Sequence, residues 1–339
     1  LEIAQLQNEL PCHTYSFCCC ILFIQISSSE ADVFRKLYRQ FLEETHFIDW
    51  NSWKFIADDV QRNHADLPEF ESTREDVLDR LVVVKLNGGL GTTMGCDGPK
   101  SFIKVKENLS FLDIAKKQHE IFNKTHGSNV PLLLMNSFYT EEQTKRELGP
   151  DSFVQTFCQS QCPRIWADSL LPVEGRDIMF VSNIDNTGAT LDLQIAQFAC
   201  DENVDYIMEC TEKTKNDIKG GTLIDIDGQL MHLEIPQVPP EHLNEFSSTR
   251  TFKIFNTNNI WVNLQAVKQR LDTISSEIIV NQKVGVHVGR NRFLPVKKSD
   301  DLLAISANLY TLTPEFSLRL NRNRPAPTVN LGKYFQNVS

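Results

Sequence analysis

The stretch LVVVKLNGGLGTTMGCDGPK, residues 81–100, is the most informative part of this chain. Its first part, Leu81–Leu86, is a continuous apolar run rich in β-branched residues, which is typical of a strand buried in a parallel sheet. Four glycines follow within Asn87–Gly95. Because glycine has no Cβ, such a loop lets the backbone approach a ligand and turn its N–H groups toward phosphate oxygens. Lys100 then adds a positive charge at the same place.

The spacing of these glycines separates the loop from two common phosphate-binding patterns. They run GGLGxxxG, which is not the GxGxxG of dinucleotide-binding folds, and no GK[ST] ending of a P-loop follows. The strand, the loop and the later Pro99-Lys100 together favour a sugar-nucleotidyltransferase loop. A dinucleotide loop or an ordinary tight turn is the alternative.

Outward from this stretch, the chain alternates between helical and strand patterns. The predicted helices are 74–80, 114–126, 140–148 and 191–199, and a further helix is predicted at 29–44. The predicted strands are 81–86, 130–135, 177–182 and 206–209. Such alternation predicts an α/β fold with a mostly parallel sheet and helices on both faces.

Between Thr222 and Trp261 the pattern changes to short strands and turns, with an Asp-Gly hairpin signal at Asp227-Gly228. This predicts a small antiparallel insertion, and Trp50 and Trp53 lie in a predicted packing segment. The residues after Thr313 are rich in Asn, Arg and Pro, and we expect them to contribute little to the core. The expected divisions are an unassigned segment at 1–28, a helical region at 29–80, a catalytic domain at 81–312 and a tail at 313–339.

Composition excludes several classes of protein. A formal net charge of -10 argues against general nucleic-acid binding. The apolar run at 15–26 is too short to span a bilayer and lacks the features of a signal peptide, so no membrane association is expected. The nine cysteines form no CxxC pair, which favours free thiols in a reducing, cytoplasmic compartment over a zinc site or disulfides.

The stretch KLNGGLGTTMGCDGPKSFIKV resembles the signature of eukaryotic UDP-glucose pyrophosphorylases. Further stretches resemble that family in the same order along the chain: VPLLLMNSFYTEEQT, FVSNIDNTGATLDL, KGGTL, FKIFNTNNIWVNLQAV, EIIVN and RFLPVKKSDDLL. The likeness covers about residues 50–310. It implies a Mg²⁺-dependent reaction of UTP with glucose-1-phosphate that gives UDP-glucose and pyrophosphate, by direct attack of the sugar phosphate on the α-phosphorus of UTP.

The resemblance also implies roles for individual residues. Leu86, Asn87, Gly88 and Gly89 would cradle UTP, with Gly88 and Gly89 also near the sugar phosphate. Lys100 and Lys297 would contact the phosphates during transfer, as the catalytic residues. Gln159 would read the uracil edge, and Asp185 would bind Mg²⁺. Asn183, Ile184, Asp185 and Asn258 would contact the sugar phosphate. Taken singly, each has an ordinary structural explanation, such as a turn residue or a solvated lysine.

The chain departs from the family pattern at two internal places. It passes from Glu174 to Gly175-Arg176-Asp177 with no Gly-His-Gly-Asp loop, and only NQKVGVHVGRN stands between Val280 and Arg292, where the family is longer. The C-terminal β-helix that supports oligomer contacts in relatives is also not found, which leaves the oligomeric state open. Since transfer depends on positioning, we expect impaired or absent activity.

Three other functions stay open at this point. One is a non-catalytic nucleotide-binding variant, favoured by the missing Gly-His-Gly-Asp loop. Another is a UDP-N-acetylhexosamine pyrophosphorylase, although the SNIDN and NTNN motifs are closer to the glucose enzymes. The third is a NAD-dependent oxidoreductase, which the glycine spacing disfavours.

Overall fold

The computed structural model describes residues 47–91, 94–96, 98–150, 152–159, 176–214, 217, 220–269, 283–323 and 326–332. The helix predicted at 29–44 and the apolar run at 15–26 lie outside these residues. In chain order the strands are β1 (Trp53–Lys54), β2 (Gln61–Asn63), β3 (Leu81–Asn87), β4 (Lys104–Lys106), β5 (Leu109–Ser110), β6 (Leu132–Asn136), β7 (Gln155–Cys158), β8 (Ile178–Asn183), β9 (Tyr206–Glu212), β10 (Thr222–Ile226), β11 (Gln229–Leu233), β12 (Ile254–Asn263), β13 (Lys283–His287), β14 (Tyr310–Leu312) and β15 (Leu318–Leu320).

The first four α-helices of the described residues correspond to predicted helical segments, and the last three were not predicted. In chain order the helices are α1 (Glu75–Arg80), α2 (Phe111–His126), α3 (Glu141–Leu148), α4 (Leu193–Asp201), α5 (Leu243–Ser247), α6 (Leu264–Gln269) and α7 (Ser299–Ser306). Helix α2 begins three residues earlier than predicted because Ser110 forms a capping box with Asp113. It ends at Gly127, whose φ of 59° is the left-handed conformation that glycine adopts without strain.

The main sheet has eight strands in the order β2-β13-β9-β12-β8-β3-β6-β7. Strand β3 pairs in parallel with β6 and β8, and β6 pairs in parallel with β7. Strands β9, β13 and β2 are also parallel to one another. Six of the seven residues of β3 are buried, as expected for a central strand covered on both faces. The predicted mostly parallel α/β sheet is therefore confirmed.

Strand β12 corrects the predicted extent of the antiparallel insertion. We expected the insertion to run from Thr222 to Trp261, but Ile254–Asn263 lies in the main sheet, antiparallel to both β8 and β9. The alternating pattern of this segment is the same for a local hairpin and for a long-range antiparallel strand, so the pattern could not distinguish them.

The insertion itself is a three-stranded antiparallel sheet, β1-β10-β11. The predicted hairpin turn is present, with positive φ at both Asp227 (54°) and Gly228 (80°), as a type I′ turn requires. Its small core contains the fully buried Phe246 and Phe252, and the predicted packing residues Trp50 and Trp53 lie against it.

The segment after Thr313 is more ordered than expected. Strand β15 pairs with β14, and Leu318 is buried in the main core at 5% exposure. No helix within the described residues is long and apolar enough to cross a membrane.

Candidate functional site

Two loops meet at the carboxyl edge of the parallel strands. The chain runs from β3 outward to β6 and β7 and then returns to the other side of β3 to form β8. The loops that follow β3 and β8 therefore lie at a topological switch point, the position at which open α/β sheets bind ligands, and we call the space between these loops the crevice. Registers Asn87↔Asn136 and Leu86↔Asn183 bring the ends of the three strands level.

The glycine loop after β3 is closed as a hairpin. The Gly91 N–H donates to the Gly98 carbonyl at 3.0 Å, and the Lys100 N–H donates to the Gly89 carbonyl at 3.1 Å. These bonds return Lys100 to the beginning of the loop, although eleven positions of sequence separate it from Gly89. The Ser137 hydroxyl anchors the other side by donating to the Gly88 carbonyl at 2.8 Å.

Gln159 lies beside the first glycine of this loop. The backbone N–H of Gln159 donates to the Asn136 carbonyl at 2.7 Å, which extends the pairing of the sheet edge past β7. A Cβ built on Gly88 would lie 3.2 Å from Gln159 Nε2. A side chain at Gly88 would therefore displace the Gln159 amide, so the glycine and the amide together form one wall of the crevice.

Lys100 and Asp185 face each other across the crevice. The Lys100 ammonium donates to Asp185 Oδ2, and the side chains are 18% and 15% exposed. A third segment joins them, because the Val296 N–H donates to the Asp185 carbonyl at 3.3 Å. The structure thus brings together the predicted catalytic lysine and the predicted metal ligand.

The NTNN segment forms a bulge in β12 at this edge. The pairing with β9 shifts register between Asn256 and Ile260. Asn258 has a φ of 59°, and its N–H donates to Asn256 Oδ1 at 2.7 Å. The bulge turns the Asn258 side chain toward β8, where its Nδ2 donates to Asn183 Oδ1 at 3.1 Å. Two predicted substrate-contacting residues are therefore adjacent.

Lys297 is joined to the site by the backbone of the preceding residue, Val296, and its ammonium lies over two aromatic rings. Val296 contacts Asp185, as described above, while the exposed Lys297 Nζ lies 5.6 Å from the ring centroid of Phe255 and 6.0 Å from that of Phe293. The ammonium therefore rests on an aromatic surface by cation–π attraction.

Three predicted binding residues make their described contacts within the fold. The Asn87 side chain is buried at 1% exposure and donates to Asn136 Oδ1 at 2.7 Å and Thr144 Oγ1 at 3.0 Å. Ile184 is 6% exposed and belongs to the main core. The Leu86 carbonyl accepts from the Ile184 N–H at 3.3 Å. Any side-chain role of Asn87 or Ile184 in ligand contact is disfavoured by this packing.

The donor set at Asp185 has the character of a magnesium site completed by substrate. The described residues contain no group of three or more His, Cys, Asp or Glu side chains that could hold a metal ion by themselves. Mg²⁺ commonly binds proteins through one or two carboxylates and takes its other ligands from phosphates and water. One partly exposed carboxylate beside the glycine loop fits that requirement.

A buried ion pair beneath the site was missed at the sequence level. Glu209 is fully buried, and Arg292 donates to it twice, from Nε at 2.8 Å and Nη2 at 2.6 Å. Trp261 Nε1 and Asn259 Nδ2 each donate to the same carboxylate at 3.0 Å. Burial by itself would lower the pKa of Arg292, but the charge and hydrogen bonds of Glu209 raise it.

This ion pair fixes the loop that carries Lys297 to β9 and β12. Arg292 also donates from Nη1 to Asp192 at 3.4 Å, and Asp192 pairs with His64 at 2.8 Å. Residues so far apart in sequence form no motif, and RFLPVK gave no sign that its arginine faces the interior. The sequence contained no signal that could have identified the cluster.

The chain matches one protein family along most of its length. The model of the family described as UTP--glucose-1-phosphate uridylyltransferase matches residues 31–177, 173–284 and 281–339. The three pieces meet at 173–177 and 281–284, within the two regions where the resemblance implies that family segments are missing.

Named relatives agree with this match. The UTP--glucose-1-phosphate uridylyltransferase of Pyrus pyrifolia is 39% identical, over 93% of this chain and 82% of that protein. The enzyme of the same name from Saccharomyces cerevisiae is 39% identical, over 92% of this chain and 77% of that protein. The alignment to the Pyrus protein spans 385 positions, more than the 339 residues of this chain, so this chain has gaps opposite residues of the relative.

Solved structures have the same fold. A UDP-glucose phosphorylase from Trypanosoma brucei has a TM-score of 0.77 and 27% identity, and the match covers 91% of this chain and 82% of that one. A Leishmania major UDP-glucose pyrophosphorylase mutant, solved in complex with UDP-glucose, has a TM-score of 0.74 at 24% identity, over 90% of this chain and 81% of that one. On the family match and the 39% identity to its curated relatives, this chain belongs to the UTP–glucose-1-phosphate uridylyltransferase family.

Proposed function

We propose that this chain catalyses the reaction of UTP with glucose-1-phosphate to give UDP-glucose and pyrophosphate. The observation that carries the proposal is the glycine hairpin that returns Lys100 to Gly89 and sets it against Asp185 across the crevice. The names of the relatives support glucose-1-phosphate as the sugar substrate. They disfavour both the acetylhexosamine alternative and the non-catalytic one.

The chemistry requires charge neutralisation rather than a strong base. A phosphate oxygen of glucose-1-phosphate attacks the α-phosphorus of UTP, and the bond from that phosphorus to the bridging oxygen breaks to release pyrophosphate. The attacking oxygen is already ionised, so no proton has to be removed. Both reactants are anionic, and the site must hold them in line against their repulsion.

The N–H groups of the glycine hairpin and the Lys100 ammonium are suited to the phosphates of UTP. Asp185 pairs with Lys100 across the crevice. When UTP binds, we expect Lys100 to contact a phosphate oxygen, and Asp185 would be the residue that holds Mg²⁺. The ion would supply further positive charge as pyrophosphate leaves.

The remaining predicted residues are assigned to the uracil, sugar and phosphate groups of the substrates. The Gln159 amide offers one donor and one acceptor, which matches the edge of uracil. The Asn183–Asn258 pair offers amide groups to the sugar hydroxyls. Lys297 would leave the rings of Phe255 and Phe293 to reach a phosphate, a change that costs little because its ammonium is exposed and bound only by cation–π contacts among the described residues.

We propose that the two missing family segments lower the rate of this chain. The family match breaks at 173–177 and 281–284. The second break falls at the start of β13, which leads into the loop that carries Arg292 and Lys297, so it affects the support of a predicted catalytic residue. We also propose a cytoplasmic location, because the described cysteines Cys158, Cys200 and Cys210 are free thiols, as a reducing compartment favours.

Pyrophosphate release from UTP and glucose-1-phosphate with Mg²⁺ tests the proposal. Release that is measurable with the wild-type chain and lost in Lys297→Ala would support it. Lys268→Ala is the matched control, because Lys268 is an exposed lysine on α6, at the opposite edge of the sheet from the glycine loop. UTP binding without pyrophosphate release would indicate a nucleotide-binding protein that is not catalytic. If the chain shows no UTP binding and no pyrophosphate release, the proposed function is refuted.

A further inference from the structure

A cavity of about 220 Å³ lies under α2, away from the crevice. Its floor is formed by the middle of strands β3 and β8 and the first residue of β6, and its sides by α2, Ala189–Leu191, Glu315 and Ser317. None of the described residues that line it belongs to the predicted UTP or sugar-phosphate site. The cavity is therefore a second concave feature of the same domain.

The Lys85 amine lies at the floor of this cavity and is bonded to uncharged acceptors. Lys85 is 6% exposed, and its Nζ donates to Ser182 Oγ at 2.8 Å and to the Ala189 carbonyl at 2.5 Å. Both acceptors are uncharged, and among the described residues no carboxylate forms an ion pair with it. Buried lysines are normally paired, so the missing partner calls for an explanation.

The electrostatics of the surroundings also favour an added anion. Burial lowers the pKa of Lys85 to about 7; the positive charge of Arg292 acts in the same direction, and Glu209 opposes it. A negative charge next to the amine would offset both burial and Arg292. An anionic group that enters the cavity would therefore gain a strong partner in a region of low dielectric.

The walls are apolar and the rim is polar. Phe122, Leu132 and Phe180 line the cavity, and the Phe180 ring centroid is 5.7 Å from Lys85 Nζ. His126 and Glu315 are exposed and lie at the rim. Apolar walls with one convergent charged group are typical of small-molecule sites. The volume is below the roughly 300–1,000 Å³ of most such sites, which limits the occupant to a compact molecule.

We propose that this cavity is a binding site for a small carboxylate with an apolar body, with the carboxylate on Lys85 and the body against Phe122, Leu132 and Phe180. The site is distinct from the proposed uridylyltransferase crevice and does not depend on it. Lys85 and Asn87 both lie on β3, two residues apart, so an occupant of the cavity would contact the strand that leads directly into the glycine loop.

Calorimetric titration of the full chain with benzoate tests the site, with benzamide as the neutral compound of the same shape. The expected result is saturable binding of one benzoate per chain, with benzamide at least tenfold weaker. Lys85→Met should weaken benzoate binding at least tenfold. No binding of benzoate by the wild-type chain, or equal binding of benzamide, would overturn the proposal.

A second variant and a competition experiment complete the test. If Lys85→Met fails to fold, Ala115→Leu fills the cavity from α2 and leaves Lys85 in place, and it too should abolish benzoate binding. Unchanged binding in that variant contradicts the assigned location. If UTP and benzoate compete, benzoate binds in the crevice, and the proposed cavity site is refuted. If the chain binds benzoate but not UTP, only the proposed function is contradicted.

Discussion

Glu209→Gln is expected to lower the free energy of unfolding by about 3–5 kcal/mol, the usual cost of removing one partner from a buried ion pair. Glu209 is fully buried and Arg292 is 7% exposed, so solvent screens their charges little. The substitution keeps the shape of the side chain and removes its charge, and among the described residues Arg292 is then left with only the more distant Asp192 as a carboxylate partner.

The hydrogen bonds around Glu209 support the upper part of that range. Trp261 Nε1 and Arg292 Nη2 donate to Oε1, while Asn259 Nδ2 and Arg292 Nε donate to Oε2. The four groups that bond to this carboxylate in the described part of the chain are all donors, so the NH₂ group of glutamine would face two donors in either orientation of the amide. A buried donor that has no acceptor costs about 1–3 kcal/mol.

Urea unfolding followed by tryptophan fluorescence measures the effect. With a slope of roughly 3 kcal/mol per molar urea, the expected loss lowers the midpoint by about 1–2 M. The control is Glu142→Gln, which removes a carboxylate from an exposed pair with Arg146, the two side chains being 89% and 75% exposed. Such pairs contribute little, so its midpoint should not change measurably.

A double variant distinguishes an uncompensated charge from a simple packing defect. Glu209→Gln combined with Arg292→Met removes both charges, and part of the lost stability should return. If Glu209→Gln unfolds at the same urea concentration as Glu142→Gln, the assigned role of the ion pair is wrong. If the double variant is less stable than Glu209→Gln by the full cost of a second core substitution, packing rather than charge explains the loss.

Three further predictions concern the crevice and Lys85. Lys100→Met should lower kcat by about 10²–10³, as loss of one preorganised donor to a developing charge does, with the circular dichroism spectrum unchanged; a decrease below tenfold would contradict its role. Asn258→Gly keeps the positive φ and should raise KM for glucose-1-phosphate with little change in stability, whereas Asn258→Val should destabilise the protein by about 1–3 kcal/mol in thermal unfolding. Lys85 has a folded-state pKa lowered from 10.5 to about 7, so the native state binds fewer protons than the unfolded state between these values, and wild-type stability should rise with pH across that window relative to Lys85→Met. The difference should change by at most about 5 kcal/mol, at 1.36 kcal/mol per pKa unit, and equal pH profiles in urea unfolding would contradict the buried amine.

The local elements were predictable because each depends on neighbours in sequence. The run at 81–86 became β3, and Asp227-Gly228 became a type I′ hairpin, since the backbone conformation at such positions follows from residue type. The pairing partners were less predictable. Ile254–Trp261 was placed in the insertion, but it pairs with β8 and β9, because nothing in an alternating strand specifies a distant partner.

The site was predictable to a similar degree. The resemblance pointed to Lys100, Asp185, Asn183 and Asn258, and the structure brings these four together in two contacting pairs. It did not indicate that Asn87 would be buried against α3 or that Glu209 and Arg292 would pair beneath the loop. Those contacts depend on which face of a strand a side chain occupies, and family motifs do not carry that information. The domain boundaries and the ligand contacts of individual residues stay predictions.

The partners of β1 and β2 have a consequence for the synthesis of this protein. Strand β1 pairs with β10, and β2 pairs with β13, whose last residue is His287. At about 5–20 residues per second on the ribosome, the first strands would wait on the order of tens of seconds for these partners to emerge. During that interval the nascent chain would expose Trp50, Trp53 and Phe55. Chaperones that bind aromatic segments would recognise this stretch. A release of the chain before His287 would leave the edge of β9 without its neighbour, and such products should be the most prone to aggregate.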